Sequence, residues 1–300
     1  GLGARGSGHL IATAIEHPSV LEPIRDLERR GFRVTVVNPD ANGVVPAGRV
    51  LDAIRPETAL VAMMLVNNET GVIQPVAELS AVVRARGIHV HCDAVQAAGK
   101  IPLDVELLEA DTVAIAAHKL HGPKGIGALY VRKGVTLQPY LAGGAQERRR
   151  RAGTENVPLA AGFGRAAAIA ATLDHVPELT RRRDELERRI LHAFPDAILN
   201  GAGANRVANT TSVSFRGHDA EGIVIGLDLE GVAVSTGSAC SSGRVEPSHV
   251  LIAMGISEED AQSSVRISLS RFTTDEEIDR AFALLTQLVP KNRRLSALVK

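Results

Sequence analysis

A single lysine, Lys119, stands between an apolar run at 111–117 (DTVAIAA) and a Gly/Pro turn at His121-Gly122-Pro123. The run has the composition of a strand buried on both faces, and in open α/β sheets chemistry gathers at the carboxyl ends of strands. A partly desolvated amine at that edge is an activated nucleophile, which is what a Schiff-base lysine requires. A lysine that opens a loop is also an ordinary solvated side chain. The neighbouring segment 90–96 (VHCDAVQ) separates these readings, because a second apolar run ends there in Asp93, with Gln96 three residues later. Pyridoxal 5'-phosphate (PLP) needs that company: a carboxylate partner for its ring nitrogen beside the lysine that holds it. Gln96 can then hydrogen-bond the ring hydroxyl. Taken alone, Asp93 reads equally as a helix N-cap.

Four further positions carry chemistry by type and setting. His17 follows an apolar run at 11–15 and so falls on the same kind of strand edge, or caps the helix that follows. Asn68 lies in the turn-prone Asn67-Asn68-Glu69-Thr70-Gly71. Arg266 interrupts the apolar strand at 264–269, where an unpaired guanidinium is costly; a substrate carboxylate gripped by its fork, or an acidic neighbour, would satisfy it. Cys240 sits among small polar residues at 235–243 (STGSACSSG), the composition of a mobile loop, whereas Cys92 in its apolar run reads as a packing residue. The run Arg148-Arg149-Arg150-Arg151 has no interleaved aromatics and reads as a solvated loop of open role.

The elements that must place these residues alternate. Strand-like runs at 11–15, 34–37, 60–66, 88–91 and 112–117 are separated by helix-like segments at 20–30 and 76–86 and a short one at 96–99. That order predicts a doubly wound, mainly parallel sheet, with one more strand at 125–131 after the lysine turn. Helices at 158–173 and 177–194 follow, and segments at 209–215, 220–229, 231–234, 265–269 and 275–288 suggest a smaller α+β domain. The expected division is a large domain, 1–172, and a small C-terminal one, 173–300. Gly1-Leu2-Gly3-Ala4-Arg5-Gly6 spells a dinucleotide fingerprint, but no strand precedes it, so it reads as a loop. The 300 residues, 45% of them hydrophobic, suffice for a sizeable core. A formal net charge of +0 gives no electrostatic case for nucleic acid or an anionic membrane as partner. With two cysteines in unlike settings, no long apolar run and no signal-like amino terminus, the expectation is a soluble cytoplasmic protein in a reducing compartment.

Taken as ordered blocks, the chain resembles the cysteine desulfurases of the NifS/IscS type, within the class V aminotransferase-like PLP enzymes. The blocks are 14–20 (AIEHPSV), 66–71 (VNNETG), the Asp93/Gln96 segment, 118–130 (HKLHGPKGIGALY), 151–156 (RAGTEN), 235–243 (STGSACSSG) and 264–273 (SVRISLSRFT). The resemblance implies an α/β, PLP-transferase-like fold of type I and conversion of L-cysteine to L-alanine, with sulfur held as a persulfide on Cys240. By the same resemblance Lys119 holds PLP and moves the substrate proton, His17 stacks on the ring, Asn68 lies near the ring hydroxyl and substrate carboxylate, and Arg266 binds that carboxylate. His118 reaches the phosphate, Thr154 reaches the phosphate of a neighbouring subunit's cofactor, and no metal is implied. A homodimer and a sulfur-acceptor protein, an iron–sulfur scaffold or a sulfur carrier, complete the implied partners. The sequence departs from the family in beginning after the segment that carries a Gly-Thr-Glu phosphate turn and in placing Ala116 where a hydroxyl residue is usual. Weakened PLP binding is therefore expected. A selenocysteine lyase, another class V enzyme, or a non-catalytic relative are the alternatives.

Overall fold

The computed structural model describes residues 7–236 and 246–293. Two compact units divide the chain: Gly1–Val37, Ala47–Leu65 and Pro75–Leu173 form the first, and Asn38–Pro46, Val66–Gln74 and Asp174–Lys300 form the second. Along the first run β1 (His9–Thr13), α1 (Pro18–Arg29), β2 (Arg33–Val37), α2 (Ala47–Asp52), β3 (Thr58–Ala62), α3 (Val76–Ala85), β4 (His89–Asp93), α4 (Val105–Leu108), β5 (Thr112–Ala116), β6 (Gly127–Val131), the distorted turn α5 (Gln146–Arg149) and α6 (Val157–Ala170). Along the second run α7 (Val176–Ala193), β7 (Ala197–Leu199), β8 (Thr210–Phe215), α8 (Ala220–Leu229), β9 (Ser235–Thr236), α9 (His249–Ala253), α10 (Glu258–Gln262), β10 (Ser264–Ser268) and α11 (Asp275–Leu288).

The first unit holds a sheet in the order β2-β1-β3-β4-β5-β6, parallel throughout except for β6, which runs antiparallel to β5. All five residues of β1 are buried, as expected of a strand with neighbours on both sides and cover on both faces. Parallel strands need crossover connections, and the amphipathic α1 and α3 supply two of them, burying Leu21 and Ile24 from α1 and Val76, Leu79 and Val83 from α3. The second unit carries a sheet in the order β7-β8-β10-β9, antiparallel at every pairing. Its core gathers Phe215, Leu186, Ile190, Ile223, Leu227 and Leu285 against Val265 and Ile267 of β10. Among the described residues no helix is long and apolar enough to cross a membrane.

Two sequence expectations change. Residues 96–99 form no helix; Val95–Lys100 is a run of turns closed by Ala98 N–H to the Ala94 carbonyl (3.1 Å) and Ile101 N–H to the Ala97 carbonyl (3.1 Å). Among the described residues, 231–234 pair with no strand, and the ladder begins only at Ser235.

Helix α6 backs the turns that follow β4 and β5. Ala98, Ala117, Leu120, Phe163 and Ala170 form one small apolar cluster. At its centre Gly99 adopts φ +69°, and an added Cβ would lie 2.8 Å from both the Ala170 Cβ and the Leu120 Cδ2. Gly99→Ala therefore imposes a left-handed backbone and overfills the cluster, and a loss of about 1–3 kcal/mol is expected. A lower urea unfolding midpoint checks this; an unchanged midpoint would show that the turn yields freely.

Candidate active site

Lys119 lies in a single 3-10 turn, Ala117–Leu120, that begins directly where β5 ends. In a 3-10 turn residues i and i+3 share a face, so burying Ala117 and Leu120 in the α6 cluster turns His118 and Lys119 outward. Both are exposed. The sequence expectation of a partly desolvated amine is thus not met in the single chain, because the buried partners of the turn lie on its opposite face. His121 closes the turn in the left-handed region, φ 59°, and Gly122 follows against α6, where a Cβ would stand 3.1 Å from that of Ala166.

Asp93 is the last residue of β4 and only 8% exposed. Its Oδ1 accepts the Val95 N–H at 2.9 Å, a side-chain turn in place of the helix cap that the sequence also allowed. The other carboxylate oxygen receives no hydrogen bond from the described residues. β4 and β5 are adjacent and parallel, with Asp93 opposite Ala114, so Asp93 and the Lys119 turn leave the sheet along the same edge. Gln96 follows in the turn, half-buried, its carbonyl oxygen accepting from the Lys100 ammonium.

Behind Asp93 lie two groups whose ionisation burial opposes. Glu16 is 0% exposed; its Oε1 accepts the Thr13 hydroxyl (2.5 Å) and the Met64 N–H (2.7 Å), tying the end of β1 to the chain that leaves β3. Burial, with the Asp93 charge adding to it, pushes the Glu16 carboxyl up to about 7. Cys92 is fully buried, and burial with the Glu16 and Asp93 carboxylates holds its thiol well above the usual range, which makes it a poor nucleophile. Sequence reasoning passed over Glu16, although a carboxylate directly after an apolar run and before His17 was the available signal.

His17 caps α1: its Nδ1 accepts the Ser19 N–H at 3.1 Å, and Pro18 occupies the first helical turn. An acceptor role at Nδ1 leaves Nε2 as the protonated nitrogen of the neutral ring. Thr154 is exposed in the loop before α6. Just upstream, Glu147, Arg148 and Arg149 occupy three successive left-handed conformations (φ 47°, 56° and 63°), a strained turn for non-glycine residues.

Asn68 and Arg266 belong to the second unit and meet directly. Arg266, in the middle of β10 opposite Ser212 and Ser235, donates from Nη1 to the Asn68 carbonyl at 2.9 Å. Among the described residues it has no ion pair, so the acidic neighbour weighed from sequence is not its partner. The Asn68 side-chain amide likewise takes no hydrogen bond from the described residues. Asn67, 1% exposed, shapes the turn by accepting from the N–H groups of Glu69 and Thr70, both at 2.9 Å. Cys240 and residues 1–6 lie outside the described residues.

A lysine turn and an aspartate closing adjacent parallel strands define the PLP-type α/β enzymes as a class. Comparison with known proteins agrees: residues 3–281 match the Aminotransferase class-V family. A cysteine desulfurase of Nostoc sp. is 44% identical over 292 residues, which cover 96% of this chain and 72% of that protein. A solved NifS-like protein superposes with a TM-score of 0.87 at 37% identity, covering 95% of this chain and 76% of that one. SspA, solved in complex with cysteine, gives a TM-score of 0.77 at 36% identity over 89% of this chain and 75% of that one. The chain belongs to the class V aminotransferase family and, within it, to the cysteine desulfurases.

His17→Ala is expected to cost about 1 kcal/mol of stability through the lost cap, and His17→Asn, whose side chain also caps, to restore most of it. Thermal unfolding of the two variants separates capping from chemistry: if both retain full stability, the Nδ1–Ser19 bond is not holding α1.

Proposed function

We propose that this chain is a cytoplasmic, homodimeric, PLP-dependent cysteine desulfurase that converts L-cysteine to L-alanine and loads the sulfur onto Cys240. The observation that carries the reading is the pairing of Asp93, with one carboxylate oxygen unclaimed by the described residues, with Lys119 on the next strand's exit. Those residues fit the cofactor. An acceptor-only carboxylate suits a protonated ring nitrogen, and an exposed primary amine suits its aldehyde. Residues 1–172 would bind PLP through Asp93, Gln96, His118 and Lys119, with Asn68 toward the ring hydroxyl and Thr154 serving the phosphate of the neighbouring subunit's cofactor. Ala116 offers the phosphate of this chain's own cofactor no hydroxyl, which supports weaker retention. Residues 173–300, the small domain, would carry Cys240 and Arg266.

When bound, PLP supplies an electron sink for the pair left on the substrate α-carbon. The protein's own residues do the rest. Arg266 fixes the substrate carboxylate, because its Nη1 is held by the Asn68 carbonyl while its Nε and Nη2 have no acceptor among the described residues. Lys119 Nζ takes the α-proton, and His17 serves further proton movement. The Cys240 thiolate attacks the substrate sulfur: an S–S bond forms, the Cβ–S bond breaks, and protonation of the remaining three-carbon skeleton gives alanine. The persulfide on Cys240 then passes its outer sulfur to an acceptor protein, an iron–sulfur scaffold or a sulfur carrier.

Cys240→Ser tests the reaction. A hydroxyl cannot hold the sulfur as a persulfide, so PLP binding should persist while sulfide release from L-cysteine under a thiol reductant falls to background. Undiminished sulfide and alanine production would point to a lyase without a protein persulfide.

A further inference from the structure

The turn that presents Asn68 also holds a carboxylate for which the reaction above has no use. Glu69 is 4% exposed. The Ser248 hydroxyl donates to its Oε2 and in turn accepts the Leu251 N–H at 3.2 Å, capping α9. Asn67 and Thr70, the other polar side chains of the turn, are neutral and bonded to one another. Among the described residues the charge that favours the ionised form of Glu69 is that of Arg266 on β10. Burial pushes the Glu69 carboxyl up to about 7, against the opposing pull of Ser248 and Arg266. Arg266 does not close onto it; the guanidinium instead spends Nη1 on the carbonyl of Asn68, the residue just before Glu69.

We propose that Glu69 is a positioning residue for Arg266: ionised, it holds part of the guanidinium's charge, and protonated, it leaves that charge to the carboxylate of an incoming amino acid. The inference rests on the reading of Arg266 as the substrate-carboxylate site. Its physical basis is competition between two anions for one cation at a site shielded from water. Below neutrality Glu69 carries its proton and no internal anion competes for the part of the Arg266 fork that the Asn68 carbonyl leaves open. Above it, the internal carboxylate competes and amino-acid affinity falls.

Glu69→Gln keeps an oxygen acceptor for Ser248 but cannot ionise. Calorimetric titration of the PLP-loaded protein with L-alanine, which carries no sulfur to transfer, reads the effect directly. At about pH 8.5 the variant should bind about three- to tenfold more tightly than the unsubstituted chain, and at about pH 6 the two should match, since one pKa unit is tenfold in affinity. Ser248→Ala, which removes the donor that favours the charged form, should move the fall in affinity to higher pH. That second variant decides the matter if Glu69→Gln does not fold. A pH-independent ratio for Glu69→Gln, or an unmoved profile for Ser248→Ala, overturns the inference. Arg266→Leu separates the two levels of argument. If it leaves L-alanine binding unchanged, the assignment of Arg266 itself fails; if it abolishes binding while the Glu69 variants show no pH effect, only the role of Glu69 fails.

Discussion

The register between β4 and β5 is the constraint on which the chemistry depends. Parallel pairing sets Asp93 opposite Ala114, and three residues later the chain turns into the 3-10 segment that carries Lys119. A slip of one residue would turn every side chain of a strand to the other face and separate the carboxylate from the amine. Helix α6 guards that register, since the turns after both strands pack on Phe163 and Ala170. Sequence provides the means: small residues at Ala98, Gly99, Ala117 and Gly122 let the two turns and the helix approach closely.

Elsewhere the fold pairs its buried charges. Arg206 meets Glu187 through two bonds of 2.7 and 2.8 Å with both side chains below a tenth exposed, and Asp111 is ringed by Arg132, Arg84 and His89. Against that background the unspent capacity of Asp93 and of Arg266 is selective. Among the described residues Asp93 keeps an acceptor oxygen open in the first unit and Arg266 part of its donor fork open in the second. Buried polar groups are ordinarily satisfied, so open ones mark where a ligand's own groups belong. Glu69 and Glu16 extend the pattern: each is buried beside one of these groups, and burial pushes each carboxyl up to about 7.

Much of this was legible from residues alone. Asp93 and the strands before it and before Lys119 were marked by apolar runs ending in polar residues, and α8 and α11 coincide with the segments 220–229 and 275–288 assigned to the smaller domain. Strand ends were less so. The run 60–66 is buried from Val61 onward, yet β3 closes at Ala62, and Met63 and Leu65 go on to donate to the His91 and Asp93 carbonyls in irregular backbone; hydrophobicity reports burial, not pairing. The grouping of Asn38–Pro46 and Val66–Gln74 with the second unit had no local signal, because contacts distant in sequence decide it, such as Gly201 against Val72 and Gly43 against Met254. Glu69 and Ser248 were invisible for the same reason: 179 residues separate them, and neither residue type signals the other.

Because the pairing of Lys119 with Asp93 underlies everything else, the most direct measurement is the location of the cofactor linkage. The protein is incubated with PLP, reduced with borohydride, digested and mapped by mass spectrometry. The expected result is a single pyridoxyl-modified peptide with the label on Lys119. Labelling of Lys124 instead, or labelling spread over surface lysines with none on Lys119, would contradict the assignment.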